Sequence, residues 1–100
     1  MEMLIDKKLK TEIGDTGEKF IQIYTQICGG WAGTFVNVLA RFVSKEDAEE
    51  LKRSGYYCKE QDGIEVLIPR RGISVNDKVY LGLTKFLWAK NIIVRGMTAV

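Results

Sequence analysis

Apolar and polar positions alternate most cleanly over residues 19–28, KFIQIYTQIC, where Ile21, Ile23, Thr25 and Ile27 share one face. Phe20, Gln22, Tyr24, Gln26 and Cys28 take the other. A period of two predicts a strand, because successive side chains point to opposite faces of a sheet. The pattern resumes at residues 34–43, TFVNVLARFV, with Val36, Val38, Ala40 and Phe42 together, so the two segments predict a hairpin around GGWAG. Ile64, Val66 and Ile68 predict the inward face of a further strand, paired with residues 56–59 across an Asp62-Gly63 turn. Pro69, Arg70, Arg71 and Gly72 break that strand. Val79, Leu81 and Leu83 mark another, with Tyr80, Gly82 and Thr84 on its reverse face. β-Branched Ile92, Ile93 and Val94 predict a last strand, while Phe86, Leu87 and Trp88 fit either a helical turn or a bent strand.

Helical signals are fewer. Met3, Leu4 and Ile5 read as a short first strand, after which Asp6 is placed to cap a helix carrying Leu9 and Ile13, with Gly14 as its stop. In SKEDAEELKRSG, Ser44 with Asp47 resembles a capping box, acids lead, Lys52 and Arg53 close, and Gly55 ends the helix. Only Ala48 and Leu51 are apolar inside it, which predicts a surface helix with solvated charges. Short strands with glycine at candidate corners (Gly29, Gly30, Gly33, Gly82) predict a closed or strongly curved sheet, which removes exposed edges. The class is mainly β, bordering on α+β, with one or two short helices.

Composition narrows the function classes. One hundred residues, 46% hydrophobic and 28% charged, predict one domain over residues 1–100. The start, MEMLIDKKLK, lacks the apolar run of a signal peptide and no uninterrupted stretch is long enough to span a bilayer, so a cytoplasmic protein without a membrane is expected. Fifteen Lys+Arg against thirteen Asp+Glu leave +2, too balanced to indicate nucleic acid. Arg70, Arg71, Lys78 and Lys85 lie near Tyr80 but are interleaved with Glu60, Asp62, Glu65 and Asp77, the pattern of solvated turns. There is no histidine, which removes the usual general base near neutral pH and the commonest nitrogen ligand for a metal. No G-x-S-x-G elbow is present, and GDTGEK lacks phosphate-loop spacing. No enzyme is expected.

Any metal must then rely on Cys28, Cys58 and carboxylates. Cys28 precedes Gly29 and Gly30, and two readings stand: backbone amides converging on a reactive thiolate, or a small buried hydrophobe at a strand end. Cys58, within YYCKE, reads first as packing. A Cys28–Cys58 disulfide requires neighbouring strands, and a cytosolic pair normally stays reduced. One or two thiolates per chain cannot complete four-ligand coordination, so bound metal implies a dimer pooling sulfurs, a partner protein or an external thiol. Trp31 and Trp88 are either core-packed or surfaces for such a partner.

The order of parts resembles the HesB-like domain of the A-type iron–sulfur carriers: a short N-terminal helix, the strand F-I-Q-I-Y, the turn GWAG, a long partner strand and DGIEVLIP, together spanning residues 4–94. It is most similar to a divergent branch with a cysteine pair or selenocysteine motif in the turn and an ending like LTKFLWAKNIIVRG. Trp31 stands where cluster-carrying members place the cysteine of S-G-C-S-G, and residues 91–100 lack the C-terminal C-G-C pair. The resemblance implies a pseudo-barrel of buckled mixed sheet and iron–sulfur or iron binding without turnover. The metal site would involve Cys28 and Cys58, with Gly29, Gly30, Trp31 and Gly33 as the binding or interaction turn. Implied partners are a second copy or iron–sulfur assembly proteins. The alternative is a non-catalytic interaction module that keeps the fold and has lost cluster binding.

Overall fold

Asp6 accepts a hydrogen bond from the Lys8 backbone N–H and caps α1 (Lys7–Thr16), satisfying an amide that the first turn leaves unpaired. The expected stop at Gly14 is overturned. The helix continues to Thr16 and ends at Gly17, whose φ of +76° is the left-handed conformation that glycine adopts without a Cβ clash. Ser44 caps α2 (Lys45–Arg53) by accepting from Asp47 N–H, as the capping pattern predicts, and Ala48 is its buried residue.

The computed structural model describes residues 2–31, 33–87 and 89–100, apart from the side chain of Phe86. Seven strands form one mixed sheet: β1 (Glu2–Ile5), β2 (Phe20–Gly30), β3 (Gly33–Val43), β4 (Tyr56–Gln61), β5 (Ile64–Pro69), β6 (Ile73–Phe86) and β7 (Ala89–Ala99). Their order is β1-β6-β7-β3-β2-β5-β4, with β1–β6 and β2–β5 parallel and the other pairs antiparallel. The two outer strands approach each other. Gln61 of β4 donates to the Met3 carbonyl of β1, and Lys10 pairs with Asp62 at 3.1 Å, so the sheet curls into a nearly closed barrel. Ile21, Ile23, Val66, Ile68, Val79 and Leu81 fill its interior, on the faces the alternation predicts, and Leu9 seats α1 on them. Among the described residues no helix is long and apolar enough to cross a membrane.

The corner glycines need correction. Gly33 does adopt a positive φ, +123°, where β3 begins, but Gly29 and Gly30 are ordinary strand residues of β2 and the hairpin turns later than expected. At Gly82 a Cβ would lie 2.8–3.0 Å from the Tyr80 ring, so that glycine makes room for an aromatic instead of turning a corner. Leu87, with φ of +56°, follows β6 at the other long hairpin. Trp88, read as part of a helical turn or bent strand and as either core-packed or a partner surface, lies outside the described residues.

An ion cluster fastens α1 to the β6–β7 hairpin. Glu12 is 5% exposed, and Lys90 Nζ donates to both its oxygens at 2.8 Å, with Lys85 at 3.7 Å. The Lys90 hydrogen bond outweighs burial and holds the Glu12 carboxyl below its ordinary value of 4.5. A carboxylate with a depressed folded-state pKa contributes stability above its unfolded pKa and loses it as pH falls through the folded one. Urea unfolding followed across the acid range should therefore show a steepening loss of stability below about pH 4.5. Glu12→Gln should lower stability near neutrality and flatten that acid limb; an unchanged limb would exclude the cluster as its source.

Candidate functional site on the β2–β3 arm

The β2–β3 hairpin outgrows the sheet that carries it. β2 meets β5 only at residues 20–22, and continuing that register would set Tyr24 beside Pro69, where β5 ends. Proline has no N–H to extend the ladder. On the other side β3 meets β7 only at Ala40↔Ile92 among the described residues. Beyond these points residues 25–30 and 33–37 form a two-stranded arm, paired to each other from Thr25↔Val38 to Gly30↔Gly33. Its side chains stand in solvent: Ile27 is 73% exposed, Phe35 59%, Val36 44%, and Trp31 fully exposed at the tip.

Cys28 lies on this arm, half-buried, opposite Phe35, with the Asn37 side-chain N–H donating to its sulfur at 3.4 Å. Because Gly29 and Gly30 stay in the strand, without positive φ, the convergence of their amides on the thiolate, one of the two readings, is not built. Trp31 is likewise no core residue. Asn37 was invisible in the sequence as a neighbour of Cys28; only the hairpin register, which pairs it with Gln26, places it diagonally beside the thiol.

Cys58 sits elsewhere. It opposes Leu67 of β5, and Leu67 in turn opposes Gln22, so the two cysteines are separated by an intervening strand and by six positions along β2. At about 3.3 Å per residue the offset is roughly 20 Å, which excludes a disulfide or a metal shared within one chain. Both cysteines are free. The Cys58 thiol donates to Glu65 Oε1 at 3.5 Å, and Lys52 donates to the same oxygen at 3.1 Å. Partial burial, then the Glu65 carboxylate, raises the Cys58 pKa, so the sulfur stays a protonated thiol. For Glu65 burial pulls the other way, yet the Lys52 and Cys58 hydrogen bonds hold its carboxyl below the ordinary value.

The arm's base is stiffened by groups the alternation could not single out. Gln22, 6% exposed, accepts from Arg41 Nε at 2.8 Å and donates to the Tyr56 hydroxyl at 3.2 Å, while the Arg41 guanidinium sits 5.1 Å from the Tyr24 ring centre. A buried amide with both ends bonded avoids the cost of an unpaired polar group and fixes the side chains around it. The arginine patch gains no support as a nucleic-acid surface. Arg95 and Arg70 lie over Tyr80 and Tyr57, at 6.0 and 5.7 Å, occupying aromatic faces that bases would need.

Chemically, the arm offers one thiol, an amide donor beside it and an uncharged apolar surround. No group of three or more cysteine, aspartate or glutamate side chains is gathered for a metal among the described residues, so one chain does not by itself complete an iron–sulfur ligand set. The crystal structure of Escherichia coli SufA, described as involved in biosynthesis of iron–sulfur clusters, is similar over 95% of this chain and 80% of that one, with a TM-score of 0.51 and 10% sequence identity. The chain therefore has the HesB-like pseudo-barrel fold that its order of parts suggests. No protein-family profile and no curated protein matches it.

Proposed function

We propose that this HesB-like fold serves iron–sulfur or iron handling without turnover, with Cys28 offering one thiolate toward a metal or cluster carried as cargo. The observation that supports the reading is the contrast between its two sulfurs. Cys58 is engaged by Glu65 and kept protonated, whereas Cys28 stands on a projecting arm with only an Asn37 donor for company. A single thiolate requires the remaining ligands from outside the chain: a second copy, an iron–sulfur assembly protein or a small thiol.

The test is anaerobic reconstitution with ferrous iron and sulfide, reading visible absorption and bound iron for wild type, Cys28→Ser and Cys58→Ser. Thiolate-to-iron absorption is expected in wild type and Cys58→Ser and should vanish in Cys28→Ser. Colour that survives Cys28→Ser, or a wild type that takes up no iron, overturns the reading. The second case would favour a partner-binding module, for which the exposure of Trp31, Phe35 and Ile27 on the arm speaks.

A further inference from the structure

We propose that the cleft between α1 and the outer edge of β6 binds the C-terminal end of a partner polypeptide, as an added strand antiparallel to β6 with its free carboxylate at Lys7 and Lys8. The first support is a strand edge left open. β1 pairs with β6 only from Glu2↔Lys78 to Ile5↔Leu81, after which the chain turns into α1, whereas β6 runs on to Phe86. The Asp6 N–H reaches the Leu81 carbonyl at 2.8 Å, so the backbone of Leu81 is turned toward the β1 side. Successive residues of a strand alternate, and Leu83 and Lys85 therefore present their N–H and C=O groups on that same side. Among the described residues no strand and no turn or loop hydrogen bond takes them up. Unpaired groups in a row are a template for another strand.

The second support is the wall opposite. Lys8, Thr11 and Asp15 recur at helical spacing on one stripe of α1, and they line a cleft of about 710 Å³ together with Leu83 and Lys85. That size falls within the range of about 300–1,000 Å³ typical of ligand sites. An exposed edge holds an extended peptide by main-chain hydrogen bonds and leaves its selection to the side chains around it.

Charge selects the occupant and its direction. α1 and β6 run the same way, since Asp6 meets Leu81 at one end and Glu12 meets Lys85 at the other. Lys7 and Lys8 stand exposed at the first end and Asp15 at the second, and none of the three has an ion-pair partner among the described residues. The other acids of the cleft are engaged: Asp6 caps α1, and Glu12 is held by Lys85 and Lys90. A strand antiparallel to β6 brings its C-terminus to the two lysines, where a terminal carboxylate is favoured; a parallel one would bring its N-terminal side there. From Lys8 to Asp15 the helix rises about 11 Å, the reach of about three to four extended residues. The bound segment therefore carries a Lys or Arg three or four positions before its end, facing Asp15.

Neither cysteine nor a metal enters, so the test is run with a chelator present. The immobilised full chain is offered a library of peptides with seven randomised residues and free C-terminal carboxylates, and sequences with a basic residue three or four positions before the end should be enriched. A synthetic peptide of the enriched sequence, followed by fluorescence anisotropy, should lose affinity about tenfold or more when its carboxylate is amidated, and as much against the Lys7→Glu, Lys8→Glu double variant. Both lysines are exposed in the first turn of α1, where acids are favoured, so that variant should keep the circular dichroism of the folded chain. Bound peptide should slow deuterium exchange at the Leu83 and Lys85 amides. A library without enrichment, binding indifferent to amidation or to the double variant, or unchanged exchange at those two amides overturns the proposal. Iron uptake without peptide enrichment would sink this proposal alone, and enrichment by a protein that takes up no iron would sink the metal reading alone.

Discussion

Replacing Gly96 with alanine should be among the most damaging single substitutions in this protein, costing about 3 kcal/mol or more. Two independent effects coincide there. Gly96 has a φ of +90°, which side-chain-bearing residues rarely adopt, and a Cβ at that site would run into the carbonyl oxygen of Lys78 and sit 3.1 Å from the Val79 Cα. The neighbours are backbone, which cannot swing aside as the end of a side chain can. The register explains the crowding. β6 and β7 pair Val75 with Met97 and then Tyr80 with Arg95, so four residues of β6 bulge opposite the single residue Gly96 while Lys78 and Val79 also pair with β1. For a domain this size the loss corresponds to a fall of roughly 15 °C in Tm. Gly14→Ala is the control: it lies inside α1 with no atom within 4 Å, and should stabilise by about 0.5–1 kcal/mol. Thermal unfolding by circular dichroism measures both, and a Gly96→Ala protein as stable as wild type would refute the bulge geometry.

Ile23→Ala should cost about 3 kcal/mol, and Ile27→Ala, four residues on along the same strand and face, close to nothing. Ile23 is fully buried in the barrel interior, where truncation removes apolar contact and leaves a cavity the surrounding side chains fill only in part. Ile27 is 73% exposed. Guanidinium unfolding separates the two. Equal losses would mean that the arm packs against its own barrel.

This pair also shows how far the pattern of residues could be read. Alternation placed Ile21, Ile23 and Ile27 on one face correctly, because the period of two is a local property of extended backbone. It had no means of saying where along that face the covering layer stops. That limit comes from Pro69, some forty residues later, which ends β5 and leaves β2 to continue alone. The caps at Asp6 and Ser44 were legible for the same local reason, whereas the glycines misled. GGWAG reads as a turn of glycines around a thiol, yet Gly29 and Gly30 are strand residues, and the glycine with the tightest surroundings, Gly96, stands in a segment with no turn signal at all. Its requirement arises from a neighbouring strand, which composition does not record.

The candidate site divides along the same line. That only two sulfurs exist, that no histidine can assist them, and that residues 20–40 carry no charge are properties of the chain as written. They alone limited metal to a thiolate borrowed into a shared ligand set. Which sulfur is available was decided by tertiary structure. Glu65 and Lys52 come from β5 and α2 to engage Cys58, and Asn37 reaches Cys28 only because the hairpin register brings it there. Short-range periodicity and composition determine elements and exclude chemistries; the meeting of residues far apart in the chain depends on register, strand ends and bulges, and those are settled only when the whole sheet closes.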